Sequence, residues 1–297
     1  MKVGFIGLGA MGLGMAQCLN KNHDLTVYNR SPEKAASLVS EGAHLADTLD
    51  KFYQCDIVCS MLSDDAAVEA IYLSGDSLAL PLKENSISIS HSTISPPMVD
   101  RLAAAHERAN VRFLCVPVLG RPDKAAAGEL FAIAAGETRA LEDAHSVMNA
   151  ISIRQFWMGP TPRQAAVTKL GMNLMIAAAL QAMAESFTLI RKAEIDPEVF
   201  LTMVTETSFS APVYQGYGPL IAREENPAVG MKTTLGLKDV DLAQQAAEEL
   251  HMHLPMTEFL SDRLRNAIKA GFADEDWSCL GRLMARSATL PPLNKET

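Results

Sequence analysis

The sequence predicts a doubly wound α/β domain followed by an all-α C-terminal domain, the two joined by one long helix. Three observations predict it. Residues 1–160 alternate short apolar runs with helical patterns, which implies βαβ units and a mostly parallel sheet. From Gln164 to about Lys192 the pattern is one continuous helix, and from there to Leu290 only helices and short turns follow. The turn residues Gly159-Pro160-Thr161-Pro162 mark the boundary, dividing the chain into domains at 1–162 and 163–297.

The elements follow in order. Lys2 to Gly7 reads as a buried strand, Met11 to Leu19 as a helix, and Leu25 to Tyr28 as the second strand. Ser31 precedes Pro32 as an N-cap precedes a first-turn proline, so a helix starts there. Ile57 to Leu62 is strand, Asp64 to Tyr72 helix, Ser86 to Ser90 strand and Pro96 to Ala109 helix. Val111 to Leu114 and Leu130 to Ala134 are further strands. Beyond the long helix, Asp196-Pro197 starts one helix, and Leu242 to Leu250 and Met256 to Ala270 form others.

Composition narrows the function classes. A chain of 297 residues with 48% hydrophobic and 21% charged residues is long and apolar enough for two ordinary cores, which excludes a disordered or collagen-like chain. Lys plus Arg total 26 against 35 Asp plus Glu, and a net charge of −9 offers no footprint for nucleic acid or anionic lipid. The five cysteines, Cys18, Cys55, Cys59, Cys115 and Cys279, form no C-x-x-C pair, and His251 and His253 have no third ligand nearby, so no metal site is expected. Reduced buried thiols fit a cytoplasmic protein. Glycines at 4, 7, 9, 12 and 14 break any secretory h-region, and Leu170 to Ile190 carries Asn173, Gln181 and Glu185, so it reads as a core helix rather than a membrane span.

Gly7-Leu8-Gly9-Ala10-Met11-Gly12 fits G-x-G-x-x-G between a strand and a helix, the Rossmann-type position for a dinucleotide pyrophosphate. The first glycine makes the turn, the second admits the phosphates, and the third lets helix and strand pack closely. The second strand ends in Asn29-Arg30-Ser31. No carboxylate stands there for ribose hydroxyls, and Arg30 offers a cation and planar fork for a 2′-phosphate, so NADP(H) is the expected cofactor.

These residues resemble the β-hydroxyacid dehydrogenase family, which takes in 3-hydroxyisobutyrate dehydrogenase and the glyoxylate and succinic semialdehyde reductases. The resemblance begins with Val3 to Gly12 and continues through Met61-Leu62 with Val68, Ser92-Thr93-Ile94-Ser95-Pro96, Lys169 with Asn173, and Lys238-Asp239 to Ala243. It implies cofactor contacts from Met61, Leu62, Thr93 and Lys238, substrate contacts from Ser92, Asn173 and Gly120, a catalytic Lys169, and a homodimer. The chain departs from the family pattern at Ser90, where Asp is usual, at Leu119 and Arg121 in place of Ser and Gly, and at Pro162 to Ala166, where glycines are usual. Arg121 is a candidate for an anionic substrate group. The imine reductases are a sister group with the same fold; Pro117 to Pro122 has some of their character, but they generally lack a lysine at position 169.

The chemistry follows from the residue types. Hydride transfer leaves a proton to move, which needs an acid at a developing alkoxide or a base at an alcohol. Lys169 lies on an otherwise apolar helical stretch with Asn173 four residues on and so on the same face. Burial lowers a lysine's pKa toward the useful range. The expected activity is NADP(H)-dependent reduction of a small carbonyl, or oxidation of a hydroxy acid; the alternatives are imine reduction and a non-catalytic nucleotide sensor. His91, beside the site, reads as a satisfied strand-end imidazole, Asp64-Asp65 as a helix start, and Asp239 as a local structural partner.

Overall fold

The computed structural model describes residues 1–75 and 77–293. The chain divides into two compact units, Met1–Lys169 and the residues from Leu170 onward. The strands are β1 (Lys2–Ile6), β2 (Asp24–Tyr28), β3 (His44–Leu45), β4 (Ile57–Ser60), β5 (Leu73–Ser74), β6 (Ser77–Leu78), β7 (Ile87–Ser90), β8 (Arg112–Cys115), β9 (Val118–Leu119), β10 (Leu130–Gly136) and β11 (Ser152–Gly159). The helices of the first unit are α1 (Ala10–Asn20), α2 (Ala36–Ser40), α3 (Asp65–Tyr72), α4 (Pro96–Arg108), α5 (Pro122–Ala127), α6 (Thr138–Asp143) and α7 (His145–Ile151). Helix α8 (Arg163–Lys192) leads into α9 (Pro197–Glu206), α10 (Pro212–Ala222), α11 (Thr233–Glu249), α12 (Pro255–Ala267) and α13 (Leu280–Ser287).

The main sheet of the first unit runs β11-β10-β8-β7-β4-β1-β2-β3, with β9 against β10. Strands β4 and β7 are buried at every residue, as strands covered on both faces must be. β1 pairs in parallel with β2 on one side and β4 on the other, so the chain reverses its direction of winding there. In such sheets ligands bind beyond the carboxyl ends of the strands at this switch point. The core below it includes Phe5, Met15, Leu19, Val27, Ile57 and Leu114.

The sheet is mostly parallel as expected. The exception is β10, which runs antiparallel to β8, a link the strand pattern does not reveal. Three expectations need correction. β11 was not expected as a strand at all; as an edge strand it is buried on neither face consistently, so its residues carry no period-two signal. Ser31 precedes a 3₁₀ turn at Pro32–Ala35 rather than an α-helix, and its side chain makes no capping bond. α11 starts at Thr233, nine residues before the expected Leu242; Gly236 hides the helical pattern because its face lies against Trp277, whose ring a Cβ would meet at 2.7 Å.

In the second unit, Leu180 and Phe187 of α8 pack with Leu260, Leu264, Phe272 and Trp277. By length and composition α8 would pass for a membrane span, and half of its most apolar window is buried inside the protein. All five cysteines are buried and unpaired. Among the described residues no three His, Cys, Asp or Glu side chains converge as a metal site would require.

Candidate active site

The glycine loop joins β1 to α1, and each glycine has its own constraint. Gly7 adopts φ +97°, donates its N–H to the Tyr28 carbonyl at 2.9 Å, and a Cβ there would lie 2.4 Å from the Met61 carbonyl oxygen. A Cβ on Gly12 would lie 2.0 Å from the Gly7 carbonyl oxygen, so α1 packs against the turn only without a side chain. Gly9 differs: nothing lies within 4 Å of where its Cβ would be. It is the N-cap of α1, no side chain caps that helix, and its first turn holds no acidic residue. Open space and uncapped N–H groups at a helix N-terminus fit a pyrophosphate. Ala10 lines the exposed side of this turn, while Leu8 is buried and Met11 half-buried against the core.

At the end of β2, the Asn29 side chain ties the two loops together. Its Oδ1 accepts the Leu8 N–H at 2.9 Å and its Nδ2 donates to the Ser31 carbonyl at 2.9 Å. Arg30 beside it is exposed.

Two more loops close the carboxyl edge of the sheet. After β4, the Met61 N–H bonds the Ile6 carbonyl at 2.9 Å, and the Leu62 N–H donates to Ser92 Oγ at 2.8 Å. Ser92 is buried and thus holds a loop in place, whereas Thr93 next to it is half-buried. Asp64 caps α3 by accepting the Ala67 N–H at 2.8 Å. His91 is buried, with Nδ1 2.8 Å from the Val116 carbonyl, and burial pushes its pKa down to about 4. The carbonyl partner assigns the proton to Nδ1. Gly120 is exposed at φ +143°, and Arg121 is half-buried at the N-cap of the short α5.

Lys169 lies on α8 and is 8% exposed; Asn173, one turn on, is 2% exposed. In the second unit Asn173 Nδ2 donates to Asp239 Oδ2 at 2.5 Å, and Lys238 Nζ lies 3.1 Å from Asp239 Oδ1. Buried charge needs such partners. Asp239, read from the sequence as a local structural partner, does pair with its neighbour Lys238 and in addition joins it to Asn173. The signal for it was available: an acidic residue on the apolar face of an amphipathic helix.

Comparison with known proteins identifies the family. The NAD binding domain of 6-phosphogluconate dehydrogenase matches residues 2–159, and the NAD-binding domain of NADP-dependent 3-hydroxyisobutyrate dehydrogenase matches residues 164–284. An uncharacterized oxidoreductase of Bacillus subtilis, YfjR, is 39% identical over 94% of this chain and 98% of its own length. The NAD-dependent L-serine dehydrogenase of Pseudomonas aeruginosa is 30% identical over 95% of this chain and 97% of its own.

The chain belongs to the β-hydroxyacid dehydrogenase family.

The crystal structure of 3-hydroxyisobutyrate dehydrogenase from Salmonella typhimurium, another protein of this type, superposes with a TM-score of 0.84 at 26% identity, covering 95% of this chain and 99% of that one. An imine reductase from Pseudomonas sp. covers 95% of this chain and 99% of its own at a TM-score of 0.63 and 20% identity, a likeness of fold alone. As a β-hydroxyacid dehydrogenase the chain is an NAD(P)-binding oxidoreductase, which settles the enzyme class expected from its motifs. Within the first unit the structure gathers Gly7 to Gly12, Asn29 to Ser31, Met61, Leu62, Ser92 and Thr93 at the carboxyl edge of one sheet. Within the second it brings Asn173 and Lys238 to one carboxylate.

Proposed function

We propose that this protein transfers a hydride between NADP(H) and a small carbonyl or hydroxy-acid substrate, with Lys169 as the general acid or base. The observation that carries this reading is the buried Lys169 one helical turn from Asn173, whose amide is held by Asp239. When bound, the dinucleotide supplies or accepts a hydride at its nicotinamide ring. The chain has the remaining tasks. The α1 N-terminus and Gly9 hold the pyrophosphate, and Arg30 pairs with the 2′-phosphate. Lys169 gives its Nζ proton to the oxygen of a carbonyl as it becomes an alkoxide, or takes the hydroxyl proton in the reverse direction. Asn173 orients that oxygen, and Gly120 and Arg121 are the further substrate-binding residues of this reading.

The substrate class is supported by the hydroxy acids named for the related L-serine and 3-hydroxyisobutyrate dehydrogenases. The NAD dependence named for the serine enzyme makes cofactor choice the first thing to measure. Exposed Met175 and Leu189 on α8 support a homodimer, which sedimentation would check.

The test is steady-state kinetics with NADPH and NADH against glyoxylate, succinic semialdehyde and cyclic imines, and with NADP⁺ and NAD⁺ against L-serine and 3-hydroxyisobutyrate. Turnover of a carbonyl or hydroxy acid that Lys169→Ala abolishes, with dinucleotide affinity kept within about threefold, is the expected result. Turnover of imines alone would replace this reading with imine reduction. Near-normal hydride transfer by Lys169→Ala in stopped flow would remove the lysine from the chemistry.

A further inference from the structure

The loops after β4 and β7 have no regular structure of their own between Met61 and Asp64 or between His91 and Ser95, so hydrogen bonds set their shape. Two latches join them. Ser92 Oγ accepts the Leu62 N–H at 2.8 Å at one end. At the other, one carboxylate receives both donors of Ser95: Asp65 Oδ1 takes the N–H at 2.9 Å and Oδ2 takes the hydroxyl at 2.5 Å. Ser95 in turn caps α4 through the Met98 N–H at 3.1 Å. Asp65 is not needed as a cap for its own helix, since Asp64 already fills that role. Its carboxylate is committed to the neighbouring loop.

The fold says what that loop faces. β4 and β7 lie on the side of β1 opposite β2, so a dinucleotide with its pyrophosphate at the α1 N-terminus and its adenosine ribose at the end of β2 would extend its other half across the ends of β4 and β7. Thr93, half-buried between the two latches, is carried on this segment. We infer that Asp65 is a positioning residue for the nicotinamide half of the dinucleotide, acting through Ser95 to hold the 92–95 segment against the 61–65 loop. The inference rests on the dinucleotide-binding reading above.

A purely structural role would weaken all ligands alike or none, whereas a positioning role is selective. The experiment compares calorimetric affinities for NADPH and NADH with those for 2′-phospho-ADP-ribose and ADP-ribose, which lack the nicotinamide. Asp65→Ala is expected to weaken the dinucleotides about tenfold and the truncated ligands by less than about twofold. Asp65→Asn, which keeps one acceptor, is expected to fall between, and it carries the test alone if Asp65→Ala does not fold. Equal weakening of both ligand pairs, or no change in either, overturns the inference while leaving dinucleotide binding intact. No binding of either dinucleotide by the unmutated protein overturns the functional reading itself, and this inference with it.

Discussion

Asn29 Oδ1 accepts the Leu8 N–H across 2.9 Å, a bond that joins the end of β2 to the glycine loop from 21 positions away. The same side chain donates to the Ser31 carbonyl, so its amide needs both an acceptor and a donor. Asn29→Asp retains the acceptor, loses the donor and adds a negative charge beside Arg30. The expected outcome is a shift of kcat/KM toward NADH. Arg30→Ala is expected to raise the KM for NADPH between about tenfold and a hundredfold, with NADH changed less than about threefold. Kinetics with both cofactors check both variants; a preference for NADH in the unmutated protein would defeat the assignment of Arg30.

Gly9 and Gly12, three residues apart in the same loop, respond oppositely to replacement by alanine. Gly9→Ala places its methyl in open space, so stability changes by no more than about 1 kcal/mol, the scale of an N-cap substitution. Dinucleotide affinity falls more than about tenfold, because that space is where the phosphates approach. Gly12→Ala forces a methyl to 2.0 Å from the Gly7 carbonyl oxygen and destabilises the fold by about 3 kcal/mol. Urea unfolding of each variant, paired with calorimetry, separates the two effects.

Asp239→Ala leaves the buried Asn173 amide and the Lys238 ammonium without the carboxylate they share. The expected cost is about 1–3 kcal/mol of stability, together with a fall in kcat larger than any rise in KM for the dinucleotide. Asp239→Asn keeps the shape but removes the charge, and is expected to recover most of the stability and little of the rate. Unfolding curves and steady-state rates on both variants test this; full activity in Asp239→Asn would show that the charge is not used.

Two buried histidines set an acid limit. His91 and His106 both have pKa values pushed down to about 4 by burial, and each bonds a carbonyl through Nδ1: Val116 for His91, Leu102 for His106. Unfolded histidine titrates near about 6.5. Between these values the unfolded chain binds more protons, so stability is full above about pH 6.5 and declines as pH falls toward 4, by as much as about 3 kcal/mol per histidine. His106 lies against Tyr72 and Phe113, with ring centroids at 5.7 and 4.7 Å. His106→Phe keeps that packing and is expected to flatten the fall in Tm between pH 6.5 and 4, read by scanning calorimetry.

Much of the first unit was legible because short-range chemistry states it directly. Buried strands β1 and β4 are largely apolar runs, β7 alternates Ile87 and Ile89 with small serines, and the glycines of 7 to 12 stand where turn, phosphate and packing each demand one. β11 was illegible because an edge strand lacks a fully buried face, and the antiparallel β8–β10 pairing because pairing direction leaves no trace in either strand's own residues.

The sequence by itself determined the alternation of strands and helices, the dinucleotide loop, the family, and the candidacy of Lys169, Asn173 and Lys238. The alternation and the loop rest on residue type and spacing along the chain; the family and the candidacy of the three side chains rest on the motifs that carry the resemblance. Tertiary structure alone decided that Asn29 and Ser92 hold loops, that Asp65 reaches Ser95 thirty residues away, and that Asp239 joins Asn173 to Lys238. A hydrogen bond between distant segments depends on where folding puts its two ends, and neither end carries the address of the other.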